Sequence, residues 1–248
     1  MHLRTYLATT RRILTQLRAD RRTVGLIAIV PAALLTLLYF VYRDYPGADL
    51  LFNHIAVSMM AILPTTVMFL VTSVAMLRER VSGTLERLWT TPIHRADLLF
   101  GYATAFALTA VIQSLILCVV AAWGLDVDIS ASWGWVVLTA LIDAFVGVSL
   151  GLLVSAFART EFQAVQFMPV VIAPQLFLCG LLVSRDQLPR ALEVVGDALP
   201  MSWAVDAVTE LTTASEPSDD FFRYLAYLIC FGLVVLGVAA STVPRKTR

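Results

Sequence analysis

Several groupings of residues in this 248-residue chain are of a type that performs chemistry. Gly147-Val-Ser-Leu-Gly151 matches GxSxG, the elbow on which serine hydrolases mount a nucleophile. That role needs a strand-to-helix turn and a histidine within reach of the serine. Ser149 instead lies inside a long uncharged run, and His2, His54 and His94 sit at the rims of such runs or in the tail. Close packing accounts better for the pattern. Asp143, Gly147, Gly151 and Ser155 are spaced by four, a small-residue stripe on one helix face that lets a second helix approach. Asp143 is the one acid deep in an apolar run, where a charge is costly and faces a partner, the bundle interior or water. Two roles follow for it: a substrate path shared with Gln113, Gln175 and Phe177, or a structural hydrogen bond involving Gln113 or Gln175. Cys118, Cys179 and Cys230 each stand alone in a different run, so neither a disulfide nor a metal site is expected.

A different chemistry, that of docking, is written in RERVSGTLERLWTTP, residues 78–92, which lies between two apolar runs. On a helix from 80 to 91, Val81, Leu85, Leu88 and Trp89 stand at i, i+4, i+7 and i+8. Glu79, Arg80, Glu86 and Arg87 lie around the other faces, and Pro92 ends the element. Such a helix, continuous with the apolar run before it, offers charges and an apolar ridge to a soluble partner. Hydrolysis of ATP within the chain is not expected. A P-loop needs GxxxxGK[ST], and the sole lysine, Lys246, is in the tail. ATP-driven work therefore requires a separate motor polypeptide, and no catalytic or cofactor-binding residue is assigned here. No nucleic-acid partner is expected.

The elements that must position these residues follow from composition. The chain is 59% hydrophobic and 15% charged, against about 25% charged in ordinary soluble domains. Six runs are long enough to cross a hydrocarbon core about 30 Å thick: 24–42, 55–77, 101–124, 134–157, 164–184 and 221–243. Lipid offers no partner for free backbone groups, and the runs are too long for barrel strands, so the expected fold is an all-α polytopic membrane bundle with six transmembrane helices. Pro169 and Pro174 are expected to bend the fifth.

Charge sets the orientation. Fourteen of the eighteen Lys and Arg fall in residues 1–23, 78–100, 158–163 and the tail after 243. By the positive-inside rule these segments, with both termini, are cytoplasmic, and the acid-rich loops, including 185–220, are outside. The 23 polar, Arg-rich residues before the first run do not suit a signal peptide. Within them Leu3, Leu7, Thr10, Leu14 and Leu17 recur at helical spacing, with Arg4, Arg11, Arg12 and Arg18 elsewhere. This predicts a basic amphipathic helix along the inner headgroups.

RERVSGTLERLWTTPIHRADLLFGY (78–102) resembles the cytoplasmic signature of the permease subunits of type-2 ABC exporters, an RE...GTLE.L..TP.....LL.GK block after the second span. Residues 158–208 resemble the family's fifth span and the outer segment that follows. The resemblance implies that Glu79, Gly83, Thr84, Leu85 and Glu86 belong to a coupling helix seated in a groove of an ATP-binding subunit. It makes residues 1–23 a connecting helix and 185–216 short outer helices that dip toward the membrane. The chain departs from the pattern at Gly101-Tyr102, where the family often has Lys or Arg after the glycine; Arg95 is the basic residue available to replace it. The implied assembly has two ATP-binding subunits, which hold ATP and Mg, and a second permease, identical or related. Its implied work is export of an amphiphilic drug or lipid-like cargo across the cytoplasmic membrane, as in the daunorubicin-resistance and multidrug branch. Export of a polysaccharide or lipid-linked glycan, or of sodium, and a channel or membrane scaffold, are the alternatives.

Overall fold

The computed structural model describes residues 3–44, 48–84 and 95–242, and every regular element among them is helical. Helix α1 covers Leu3–Ala19, and Asp20 separates it from α2, Arg21–Tyr42. The Asp20 carboxylate starts α2 by accepting from the Thr23 N–H at 3.2 Å and the Thr23 hydroxyl at 2.7 Å. Helix α3 is the long Ala48–Val81. Helix α4, Arg95–Val119, continues into a π turn at Val120–Gly124. Helix α5, Trp133–Ser155, is capped by the Ser132 hydroxyl, which accepts from the Gly134 N–H at 3.3 Å.

Five helices among the described residues are long and apolar enough to cross a membrane: Arg21–Tyr42, Leu51–Val81, Asp97–Gly124, Trp133–Ser155 and Asp219–Thr242. The last is α10. The run expected as a single fifth span, 164–184, is instead a broken pair. Helix α6, Glu161–Val171, gives way at Ile172 to α7, Ala173–Leu178. The cause is in the sequence: Pro169 and Pro174 lack the N–H that would bond the carbonyls of Val165 and Val170. Gly180, at φ +93°, then turns the chain. After a short 3-10 turn at Arg185–Gln187 come α8, Arg190–Asp197, and α9, Pro200–Thr213, in the segment expected to carry short outer helices.

Helix α5 is the axis of the bundle, packed by α3, α4, α9 and α10. One apolar cluster joins Phe52, Leu117, Leu125, Val136, Leu211 and Phe221 near one end of the molecule, where the Ala131 N–H reaches the Leu211 carbonyl at 3.1 Å. A second, with Ile13, Met76, Leu98, Tyr102, Phe106 and Leu152, fills the end that carries α1. The side of α1 that packs includes most of the expected stripe, with Thr10 buried and Leu14 and Leu17 packed partly buried on the second cluster, but it is rotated away from Leu7. Thr9, Thr10 and Ile13 are buried, whereas Leu7 is exposed. A neighbouring helix explains this: α1 crosses α4 at Gly101, where a Cβ would stand 2.8 Å from Thr9 Cγ2, and the hydroxyls of Tyr6 and Thr104 are 2.7 Å apart.

Candidate functional site

The last turn of α3 carries three consecutive charged residues. Arg78, Glu79 and Arg80 point in three directions and tie three other elements to that one end. Glu79 is 8% exposed. It accepts a hydrogen bond from one Nη of Arg12 of α1 at 3.0 Å to Oε2, and the other Nη forms an ion pair with Oε1 at 2.9 Å. Burial lowers the Arg12 pKa, and the hydrogen bond and charge of Glu79 more than offset this, leaving Arg12 above the ordinary arginine value and charged at any working pH. The Tyr102 ring lies against the pair. Arg78 donates Nε to Glu161 Oε1 at 2.7 Å and an Nη to Oε2 at 3.0 Å, a fork that holds the first residue of α6. Its hydrogen bonds hold the Glu161 carboxyl below the usual range. Arg80 donates to the carbonyl of Ser155, the last residue of α5, with Ala158 O at 3.5 Å, placing a cation at a helix C-terminus.

The site residues therefore divide. Glu79 and Arg80, expected to meet a soluble partner, are turned inward in this chain, while Val81 is 69% exposed. The expected helix from 80 to 91 is not continuous with the second span. Helix α3 stops at Val81, the Ser82 N–H bonds Arg78 O at 2.9 Å, and Gly83 adopts φ +70°, a conformation open to glycine at little cost. The Thr84 hydroxyl meets that of Ser82 at 2.9 Å. Leu85, Glu86, Arg87 and Leu88 lie outside the described residues, as does the side chain of Arg95.

Arg12 and Glu161 were not singled out as partners by the sequence, and they lie 67 and 83 positions from the residues they bind. No local spacing carries such a pairing. A signal for the start of α6 was present: Thr160-x-x-Gln163 has the capping-box form, and the Thr160 hydroxyl accepts from the Gln163 N–H at 3.2 Å. At Gly101-Tyr102 the departure from the family signature also has a structural setting, since Gly101 is the crossing point with α1 and Tyr102 is buried beside Arg12.

Further along α3, the stripe of α5 forms the seam between the two helices. A Cβ on Gly147 would stand 2.3 Å from the Thr65 carbonyl oxygen, and one on Gly151 would stand 2.6 Å from that of Phe69. Asp143 is fully buried on the same stripe and accepts from the Thr65 hydroxyl, while its Oδ1 has no hydrogen-bond partner in the structure. Ser155, at the end of the stripe, bonds back to Leu152 O at 2.6 Å and lends its own carbonyl to Arg80. Neither expected partner hydrogen-bonds Asp143 in the structure. Gln175 donates to Val171 O at 2.8 Å and accepts from the Met201 N–H at 3.4 Å, so it links α7 to α9. Gln113 is buried on α4, and Phe177 is 60% exposed on α7. Sequence reasoning did not find Thr65.

At the far end Arg185 clamps the segment after α7, with Asp206 of α9 at 2.5 Å and Asp197 of α8 at 3.3 Å. Burial raises the Asp206 carboxyl above its ordinary range against the opposing pull of Arg185.

These are the parts of a helical membrane component with one mechanically braced end. The family model described as ABC-2 type transporter matches residues 4–212. The chain belongs to the ABC-2 type transporter family. This family chain is 31% identical over 141 residues to "ABC transporter G family member 20" of Dictyostelium discoideum, covering 57% of this chain and 19% of that one. It is 27% identical over 154 residues to "Probable multidrug ABC transporter permease YbhR" of Escherichia coli (strain K12), covering 62% and 42%. It is 25% identical over 158 residues to "Linearmycin resistance permease protein LnrN" of Bacillus subtilis (strain 168), covering 64% and 41%. The matched segment thus spans less than half of each of these curated relatives.

Proposed function

We propose that the chain is the membrane permease subunit of an ATP-driven exporter of an amphiphilic drug or lipid-like cargo. It lies in the cytoplasmic membrane with both termini inside, beside a second permease copy and two ATP-binding subunits that hold ATP and Mg. The observation that carries this reading is the three-way brace on the last turn of α3, next to the signature segment. A push on residues 85–92 reaches Gly83 and then a turn already bound to α1, α5 and α6. The force is therefore delivered to several spans at once, as a two-state change biased by nucleotide requires.

Two further observations support parts of the assembly. Relatives named for multidrug transport and for linearmycin resistance support a drug-like cargo. A second permease copy is supported by α6 and α7, which expose Phe162, Val170 and Phe177 at 72%, 68% and 60% while their prolines free two backbone carbonyls. Carbonyls deprived of their i+4 donor at membrane depth suit a protein-covered or water-lined face better than lipid.

The test is reconstitution with the ATP-binding subunit. The chain alone should release no phosphate above background, and the complex should hydrolyse ATP and move an amphiphile into inside-out vesicles. Phosphate release by the chain alone, or solute movement that needs no ATP-binding subunit, would replace this reading with an enzyme or a channel.

A further inference from the structure

A cavity of about 490 Å³ lies between α1, α2, α3 and α4, within the range of about 300–1,000 Å³ that holds small molecules. Its walls change character along its length. At the α1–α2 junction and the end of α3 they are polar, with Gln16, Asp20, Thr23, Arg78 and Glu79. Deeper along α2 and α3 they are apolar, with Leu26, Val30, Val71 and Val67. From Arg78 to Val67 the slot runs about 16 Å at about 1.5 Å per residue, which is about one leaflet of a core about 30 Å thick. It is open on the α2 side, where Leu26 and Val30 are 60% and 38% exposed.

The polar end also has a definite charge. Arg78 is bound by Glu161 and Glu79 by Arg12, so both ion pairs are closed. Asp20 accepts hydrogen bonds from the Thr23 hydroxyl and backbone N–H groups and is in no ion pair among the described residues, and the Arg78 guanidinium, itself held by Glu161, acts on it only as a weaker charge interaction. Beside it Arg21 and Arg22 are exposed at the start of α2. An anionic carboxylate next to a basic helix N-terminus complements a zwitterion, its amine toward Asp20 and its phosphate toward the arginines.

We infer that this cavity binds a resident zwitterionic phospholipid of the phosphatidylethanolamine type, one acyl chain in the slot and the headgroup at Asp20. That the headgroup lies on the cytoplasmic side rests on the orientation proposed above; the binding itself does not. The site shares Glu79 and Arg78 with the brace, so its occupant packs directly against the groups that join α3 to α1 and α6.

The experiment uses the full chain without any ATP-binding subunit, in nanodiscs containing phosphatidylethanolamine with a diazirine on its acyl chain. After illumination, peptide mapping should place adducts on residues 26–30 and 67–75. Adducts confined to other surfaces would overturn the site. Lipid retained through detergent exchange is then counted by mass spectrometry. Wild type should keep about one phosphatidylethanolamine per chain, and Leu26→Trp and Ala75→Phe should reduce it at least tenfold. Leu26 is exposed, so its variant fills the slot without disturbing the core, and an unchanged melting profile confirms that it folds. Asp20→Asn should abolish the preference for phosphatidylethanolamine over phosphatidylglycerol. Equal retention in wild type and Leu26→Trp overturns the cavity assignment, and no headgroup preference in wild type overturns the role of Asp20. Release of the lipid during ATP turnover by the reconstituted complex would make it cargo and overturn its resident status. Coupling is read separately by capture of the ATP-binding subunit, so failure here leaves the proposed function standing.

Discussion

Glu79 and Arg12 form a hydrogen-bonded ion pair 67 positions apart in sequence, and removing either partner strands the other in a largely dry place. Glu79→Ala should cost about 1.5–3 kcal/mol, the range for hydrogen bonds to charged groups. The exchange Arg12→Glu with Glu79→Arg should recover part of this in a thermal-melt double-mutant cycle, and purely additive losses would show that the pair does not couple. Asp143 makes a different demand. It is buried with one donor, Thr65, and one oxygen unbonded. If it faces the cargo path, Asp143→Asn should change cargo-stimulated ATPase activity while the complex still assembles. Failure to fold or dimerise would make its role structural, and unchanged transport with unchanged stability would remove both. The sequence made Asp143 conspicuous because an acid in an apolar run has no ordinary reason to be there. It left Thr65 invisible, because a threonine in a span hydrogen-bonds its own helix backbone as readily as a neighbour, and only the approach of α3 distinguishes the two.

Among elements, α3 and α5 approach most closely where glycines replace side chains. Gly147→Leu would drive a side chain into the Thr65 carbonyl, and Gly151→Leu into that of Phe69. Each should destabilise by about 1–3 kcal/mol, as overpacking does, and lower the melting temperature, whereas Gly237→Ala on α10, which meets nothing within 4 Å, should not. The link from α3 to α6 depends on pH. Glu161 is held below its ordinary range by Arg78, so its contribution is present above the unfolded carboxylate value of about 4.3 and is lost as pH falls through the folded value. Amide exchange across 161–168 should quicken in that window, and Glu161→Gln should exchange quickly at every pH. Long uncharged runs announced the unbroken helices, because hydropathy and length settle them together. The break between α6 and α7 was harder to read. Pro169 and Pro174 were noted as bends, but whether a helix bends or stops depends on what its freed carbonyls meet. The stop at Gly83 was obscured by the amphipathic pattern that runs through it, since side-chain spacing does not register a residue with φ +70°.

For the whole molecule, the central claim is that a soluble ATP-binding subunit docks on the segment after α3 and that the brace passes its motion to the spans. Of the two acids in the signature, Glu79 faces α1, whereas Glu86 lies outside the described residues. The most direct measurement is capture of the ATP-binding subunit, with cargo-stimulated ATPase activity, by wild type and by Glu79→Lys with Glu86→Lys. Loss of one partner of a desolvated pair costs about 2–5 kcal/mol, or roughly 30-fold to several thousand-fold in affinity. The double variant should insert into the membrane, yet bind the ATP-binding subunit more weakly by that factor or lose cargo stimulation, with Glu86→Lys alone responsible for weakened capture. A double variant that holds the subunit at wild-type affinity and transports normally would contradict the account.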